Sequence, residues 1–252
     1  MDPGYIQNWE DIAGNASYVV TLKNILRKAK KKEPFRLNTL LLGDSRQGKT
    51  SILEFFLRCL HCRDLCLKTL NPQCKPICNT CVDTFIRYGI TDIHRPGGSV
   101  HSYVIDCTTA TAADIQKAFY DVRDSGEIRV MVLDELGRLA DRVVGQTLLH
   151  CLEEPGMLWF ATAISAKHFE TALLRRFTRL TAEPPTPEEL TTWTCQRMNR
   201  QGIKADKRTT IPTLIHKANG SPGLIVEVLR AVEIKPDRKL TETEIRTLSC
   251  TN

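Results

Sequence analysis

Eight residues, Gly43 to Thr50, constrain the fold more than any other part of this 252-residue chain. They read Gly-Asp-Ser-Arg-Gln-Gly-Lys-Thr and fit the phosphate-binding loop (P-loop) pattern G-x-x-x-x-G-K-[ST]. The loop follows the apolar run Leu37 to Leu42, which predicts a buried strand, and precedes a helix predicted over Thr50 to Leu60. A strand, a P-loop and a helix in this order indicate an α/β nucleotide-binding domain.

Each residue type in the loop has a physical role in holding a nucleotide. The glycines let backbone amides surround a phosphate, and the start of the following helix adds partial positive charge. Lys49 is predicted to reach the β- and γ-phosphates, and the Thr50 hydroxyl is predicted to ligate Mg²⁺. The predicted nucleotide-binding residues are Gly43, Asp44, Ser45, Arg46, Gln47, Gly48, Lys49, Thr50 and Ser51, together with Asp134.

Asp134 belongs to a second motif, an apolar run that ends in two carboxylates. Ile128 to Leu133 predicts a central buried strand, and Asp134 and Glu135 follow it. Ligands of open α/β sheets bind at the carboxyl ends of the strands, so both side chains are expected there. Asp134 is predicted to hold Mg²⁺ through water, and Glu135 to polarise the attacking water as a general base. The alternative for such an Asp-Glu pair is a solvated turn.

Alternating strand and helix patterns predict a parallel sheet flanked by helices. Further strands are predicted at Ser102 to Ile105 and Met157 to Thr162. The proline-rich segment 184–187 is interpreted as a linker to a run of helices. The predicted divisions are an α/β domain over residues 1–183, a helical lid domain over 184–234 and a polar tail over 235–252.

Composition limits the class of protein. Hydrophobic residues make up 42% and charged residues 25% of the chain, which is typical of a globular protein. No apolar run approaches the roughly 18–20 residues of a membrane span, and the start lacks the pattern of a signal peptide, so no membrane contact and a cytoplasmic location are expected. The net charge of +6 includes a basic run over 27–32, which is either a solvated helix end or a contact for nucleic-acid phosphates.

Six of the ten cysteines lie between Cys59 and Cys81. Such clustering favours a metal site over a scattered disulfide framework.

Three further stretches carry a family resemblance. Val130 to Glu135, Leu148 to Pro155 and Trp159 to Thr162 have the order and spacing of the Walker B, LLKxLEEP and sensor 1 stretches. In these stretches the chain resembles the ATPase subunits (gamma/tau type) of bacterial DNA polymerase III clamp loaders, which are AAA+ ATPases. The resemblance covers about residues 9–232 and implies an AAA+ fold with a small zinc-binding insert and a helical lid. It also implies hydrolysis of ATP with Mg²⁺.

The resemblance assigns roles to two more residues. Thr162 is expected to act as sensor 1, which reads the γ-phosphate and helps to place the water. Arg176 is expected to be an arginine finger, which acts on the nucleotide of a neighbouring subunit and so implies an oligomer. For Arg176 the alternative is a solvated helix end.

The resemblance also implies a structural zinc site in an insert over about 61–82. Its expected ligands are Cys62, Cys74, Cys78 and Cys81. The gaps between these cysteines depart from the family's pattern, so Cys66 and His61 are rivals for the place of Cys62, and Cys59 is interpreted as a helix-face residue.

The sequence departs from the clamp-loader pattern at two places that bear on function. Gly223 stands where the family has the sensor 2 arginine of the lid, which leaves weak hydrolysis open. The family's C-terminal helical collar has no evident counterpart after Val232, which leaves open a shortened relative used in transposition or defence.

The first functional hypothesis is a clamp-loader-like ATPase that acts on DNA as part of an oligomer. It would hold DNA through the backbone phosphates with low sequence specificity, and its partners would be copies of itself, related AAA+ subunits, a sliding clamp or a transposition protein. The alternatives are an ATPase of transposon target selection or defence, and an ATP-binding assembly module with weak hydrolysis. A zinc-finger DNA reader is disfavoured because no recognition helix with suitable spacing adjoins the cysteines.

Overall fold

The computed structural model describes residues 6–31, 37–74, 90–94, 100–125, 128–139, 142–167, 169–206 and 208–247. The chain divides into two compact units. We call Ser17–Asp44 together with Lys49–Ala182 the sheet unit. The helical unit consists of the described residues of Met1–Ala16, Ser45–Gly48 and Glu183–Asn252.

The sheet unit contains a six-stranded, mostly parallel sheet, which confirms the predicted α/β fold. The strand order is β2-β3-β4-β5-β1-β6, and only β2 runs antiparallel to its neighbour. The strands are β1 (Leu37–Leu42), β2 (Ile90–His94), β3 (Val100–Asp106), β4 (Ile128–Asp134), β5 (Met157–Ala163) and β6 (Thr178–Thr181).

Nine α-helices are described. They are α1 (Ala16–Lys30), α2 (Lys49–His61), α3 (Ala112–Arg123), α4 (Arg142–Cys151), α5 (Thr171–Leu174), α6 (Pro187–Gln201), α7 (Thr210–Lys217), α8 (Pro222–Glu233) and α9 (Glu242–Thr247). In the part of the chain that the structure describes, every helix is too short or too polar to span a lipid bilayer.

The central strands are apolar because helices cover both faces of a parallel sheet. All seven residues of β5 are buried, and so are Val130 to Leu133 of β4. The register sets Leu41 of β1 beside Thr162 of β5, and Asp106 of β3 beside Asp134 of β4. The carboxyl ends of these strands therefore meet at one edge of the sheet.

The helical unit has its own core, built from α6 to α9. Helix α6 begins with Pro187 after the cap residue Thr186, whose side chain accepts a hydrogen bond from the Glu189 N–H. It ends at Gln201, and the following cap residue Gly202 has φ +66°. Leu240 and Ile245 are buried in this core. Part of the predicted polar tail is therefore packed, because these two apolar side chains are more stable in the core than in water.

Candidate nucleotide-binding site

The site in the sheet unit lies where β1, β4 and β5 end. The Gly43 N–H, just after β1, donates to the Ala163 carbonyl at the end of β5 (3.2 Å). Asp134 is the last residue of β4 and Thr162 the penultimate residue of β5. This is the edge at which ligands of open α/β sheets bind.

Asp134 joins two threonines at this edge. The Thr50 hydroxyl lies 3.0 and 3.1 Å from the two Asp134 carboxylate oxygens, and the Thr162 hydroxyl donates to Oδ1 at 2.6 Å. The Glu135 N–H donates in turn to the Thr162 hydroxyl (2.9 Å). The structure thus brings Thr50 of the P-loop together with Asp134 and Thr162, two site residues predicted from stretches more than 80 residues away.

Lys49 closes the P-loop on itself. Its Nζ donates to the carbonyl oxygens of Gly43 and Asp44, each at 2.7 Å. Burial lowers the pKa of this ammonium, and the negative charges of Asp134, Glu135 and Asp44 oppose that shift. The cation is held at the start of α2, where a phosphate would also meet the helix N-terminus.

The carboxylate of Asp134 is destabilised as an ion. Burial raises its pKa, the hydrogen bonds from Thr162 and Thr50 lower it, and the charges of Glu135 and Asp106 raise it. A half-buried carboxylate beside two other acidic groups favours a bound cation. A hydroxyl and a carboxylate at this separation suit Mg²⁺, which prefers oxygen ligands.

Glu135 lies in the left-handed region with φ +54°. This conformation costs a non-glycine residue roughly 1–2 kcal/mol, and such strain is concentrated at functional sites. Its carboxylate is about half exposed and pairs with Arg138 (3.4 Å) across a short 3₁₀ turn, Leu136–Arg138. This ion pair was not predicted from the sequence. The only signal for it is the spacing of three residues between Glu135 and Arg138, at which side chains in a helical turn can meet.

The middle of the P-loop, Ser45–Gly48, clusters with the helical unit. Arg46 and Gly48 have φ values of +64° and +80°. When residues with positive φ alternate with residues of ordinary φ, successive backbone N–H groups point towards one place, which suits a bound anion. Ser51, also predicted to bind nucleotide, lies exposed in the first turn of α2.

Arg176 contacts its own chain. Its Nε donates to Glu153 Oε1 at 3.1 Å, its Nη2 donates to the same oxygen, and its Nη1 donates to the Ala172 carbonyl (3.0 Å). Its described partners are therefore Glu153 and Ala172 of the sheet unit. Neither of these residues contacts Lys49 or Asp134 through a described hydrogen bond. Glu153 belongs to the Leu-Glu-Glu-Pro stretch, and its pairing with Arg176 was not predicted.

The cysteine cluster is described only in part. The Cys62 and Cys74 sulfurs lie 3.7 Å apart, whereas Cys78 and Cys81 fall outside the described residues. Among the described residues, no group of three or more His, Cys, Asp or Glu side chains is arranged to hold a metal ion. Zinc therefore stays a prediction.

Three neighbours of this pair bear on the rival ligands. His61 Nε2 lies 2.8 Å from the Ser102 hydroxyl, so that ring nitrogen already has a polar partner. Burial raises the pKa of the Cys59 thiol strongly, which keeps it neutral on α2. Hydrogen bonds from Thr69 lower the pKa of the partly buried Cys66 thiol, so Cys66 stays a rival ligand.

A mostly parallel six-stranded sheet, with a P-loop after β1 and two carboxylates at the end of β4, defines an α/β nucleotide-binding fold. Solved structures of RuvB from Thermotoga maritima are similar to this chain. One covers 96% of this chain and 71% of its own, with a TM-score of 0.65 at 13% sequence identity. A second covers 91% and 65%, with a TM-score of 0.63 at 14% identity. A third, described as a Holliday junction branch migration motor, covers 91% and 65%, with a TM-score of 0.61 at 16% identity.

The chain thus spans between 65% and 71% of the length of these three structures. At such low identities the likeness establishes the fold. The likeness does not single out the clamp-loader type. No protein-family profile matches the sequence, and no curated protein sequence matches it.

Proposed function

We propose that this chain is an AAA+ ATPase that binds ATP with Mg²⁺ at its P-loop and hydrolyses it. The observation that carries the proposal is the hydrogen-bonded group of Thr50, Asp134 and Thr162, which joins the P-loop to the ends of β4 and β5. P-loop NTPases need this combination, because a P-loop alone binds phosphate but does not organise water and metal.

Each residue of the group has a part in the proposed reaction. Thr50 and Asp134 would hold the metal ion, which when bound neutralises charge on the β- and γ-phosphates. Lys49 would exchange its two carbonyl contacts for phosphate oxygens. Thr162 lies between Asp134 and the Glu135 N–H, where its hydroxyl would fix the position of the Glu135 backbone.

Glu135 is the proposed general base. Its backbone is held in position by Thr162, and among the described residues its half-exposed carboxylate pairs with the solvent-accessible Arg138. Such a surface pair is weak, so the carboxylate is available to accept a proton from the attacking water.

Glu135→Gln and Lys49→Ala test the two halves of this proposal. Glu135→Gln should lower kcat roughly 10²–10⁴-fold and leave the Kd for ATP within about threefold, because only the base is lost. Lys49→Ala should weaken ATP binding itself. The control is Glu188→Gln, an exposed carboxylate on the first turn of α6.

Two results would overturn the proposal. Turnover that survives Glu135→Gln would show that Glu135 is not the general base. Undiminished ATP affinity in Lys49→Ala would show that the P-loop is not the ATP-binding site. Tight ATP binding by the wild-type chain without any turnover would instead favour the assembly module. Gly223, in place of the lid arginine, favours that second function.

We further propose that the ATPase acts on DNA in the cytoplasm as part of an oligomer. The support is the fold shared with a branch migration motor, the clamp-loader-like Leu-Glu-Glu-Pro stretch and the position of Arg176 two residues after α5. Clamp loading remains the first candidate and transposon target selection or defence the second. Binding of labelled duplex DNA should weaken steeply as salt rises, and a salt-independent affinity would contradict contacts to backbone phosphates.

Zinc is proposed as a structural ion held by Cys62, Cys74, Cys78 and Cys81. The fit rests on the first two. Tetrahedral thiolates at about 2.3 Å from zinc lie about 3.8 Å from one another, and the Cys62 and Cys74 sulfurs are 3.7 Å apart. Lys30 donates to the carbonyl oxygens of Leu60 and Cys62, which places a cation beside the thiols.

A further inference from the structure

The start of α8 packs directly on the backbone of the P-loop. Gly223 is the second residue of this 12-residue helix, and both it and Arg46 belong to the helical unit. A Cβ at Gly223 would lie 2.6 Å from the Arg46 carbonyl oxygen, 2.8 Å from its Cβ and 3.1 Å from its Cα. These atoms include backbone, which cannot move aside cheaply. The position therefore excludes every side chain, including the arginine expected there.

Two hydrogen bonds join the same residues. The Gly223 N–H donates to the Arg46 carbonyl oxygen (3.1 Å), and the Ser221 hydroxyl lies 3.2 Å from that oxygen. The amides of the first helical turn have no acceptor within their own helix. The Arg46 carbonyl supplies one, so a free amide at the N-terminus of α8 and a free carbonyl of the P-loop form a hydrogen bond with each other.

These bonds fix the direction of the next P-loop amide. A trans peptide is planar, with its C=O and N–H pointing in opposite directions. Since the Arg46 C=O points at α8, the Gln47 N–H points away from it. The Asn15 side-chain amide likewise approaches the Gln47 carbonyl (3.4 Å), which turns the Gly48 N–H away from Asn15.

Asn15 is itself held firmly. It is 3% exposed, its N–H donates to the Glu183 carbonyl (2.9 Å), and its Oδ1 accepts from the Glu183 N–H (3.1 Å). Its φ of +57° is unusual for a non-glycine residue and persists because these bonds over-determine it. A rigid Asn15 can therefore orient the peptide between Gln47 and Gly48.

We propose that the N-terminus of α8 and the Asn15 side chain form a latch on the P-loop. The latch holds the amides of Gln47 and Gly48 in the orientation that binds nucleotide phosphate. Gly223, Ser221 and Asn15 are its positioning residues. Coupling of the lid to the nucleotide runs through the backbone of Arg46 instead of through an arginine side chain. This inference rests on the proposed ATP site.

The Arg46 side chain contributes little to the latch. Its Nε lies 3.8 Å from Glu227 Oε1, and the two side chains are 40% and 56% exposed. A surface pair of this length stabilises little. The latch is therefore a backbone contact.

Gly223→Ala separates the latch from ordinary helix stability. Helix propensity alone would make this change stabilising, since alanine favours helices over glycine. The latch predicts instead an ATP Kd weaker by roughly tenfold or more, since the amides that bind charged phosphate are misdirected. Leu229→Ala is the control, because Leu229 lies in the same helix and is fully buried in the hydrophobic core of the helical unit. It should lower the melting temperature while leaving the Kd of the folded protein within about threefold.

Ser221 offers a rescue experiment. Ser221→Ala should raise the KM for ATP and leave kcat nearly unchanged, and Ser221→Thr, which keeps the hydroxyl, should restore the KM. A loss of kcat with unchanged KM would overturn the latch.

Amide hydrogen exchange tests the latch without nucleotide. In the wild-type chain the Gly223 amide should be protected although it lies in a first helical turn, and Gly223→Ala should speed exchange at Gln47 and Gly48. An unprotected Gly223 amide, or wild-type ATP affinity in Gly223→Ala, would overturn the inference. Protection at Gly223 in a wild-type chain that binds no ATP would overturn the proposed function and support the contact between α8 and the loop.

Discussion

Removal of the Glu153 charge should increase ATP turnover by the proposed oligomer. Arg176 donates to the Glu153 carboxylate and to the Ala172 carbonyl of its own chain. In its proposed role as a finger on a neighbour's nucleotide, Arg176 must first leave Glu153. Glu153→Gln weakens the competing contact and should raise the population of released Arg176.

The size of this effect follows from exposure. The Arg176 and Glu153 side chains are 30% and 55% exposed, so the pair is screened by solvent and contributes about 0.2–1 kcal/mol. Since 1.36 kcal/mol corresponds to a tenfold change, turnover should rise about 1.4- to fivefold. The ratio of variant to wild type should approach one at high salt, where the Debye length falls to about 3 Å at 1 M.

The assay is steady-state ATPase activity per chain, measured against protein concentration at low and high salt. Glu154→Gln is the matched control, because this neighbouring carboxylate interacts with Arg123. Arg176→Ala should abolish the stimulation in the Glu153→Gln background. If Glu153→Gln lowered turnover at every salt concentration, Glu153 would be holding the finger in its productive position and the reasoning would be wrong.

Two further predictions follow from the sites. Asp134→Asn should raise the melting temperature in EDTA without nucleotide, because burial raises the pKa of Asp134 and its ionised form weakens folding. Wild-type stability in EDTA should accordingly fall as pH rises through that raised pKa, and Asp134→Asn should flatten this dependence. With Mg²⁺ and ATP at about 100 times Kd, the free energy of unfolding should rise by about 2.7 kcal/mol in the wild type alone. If Asp134→Asn still melted at a higher temperature than the wild type under these conditions, the metal role would be contradicted. At the proposed zinc site, Cys74→Ser should lower the zinc content of the purified protein, measured by mass spectrometry of the metal, whereas Cys59→Ala, at a buried neutral thiol, should leave it unchanged. Equal zinc content in both variants would count against the proposed ligands.

The central strands could be predicted because their signal is local. β4 and β5 are continuous apolar runs, as expected for strands covered on both faces. The edge strands gave no such signal. β6 is largely exposed and reads Thr-Arg-Leu-Thr, and β2 reads Ile-Thr-Asp-Ile-His. Strands of this kind form because a neighbouring strand offers hydrogen bonds, which only the folded sheet supplies.

By itself the sequence determined the P-loop, the carboxylates Asp134 and Glu135 and the identity of Gly223, because these depend on residue type and spacing. Only the tertiary structure decided how Thr50 and Asp134, 84 residues apart, share a hydrogen bond, and why Gly223 cannot be an arginine. It also paired Arg176 with Glu153. Contacts between residues distant in sequence depend on the register of strands and the approach of backbones, which no local pattern encodes.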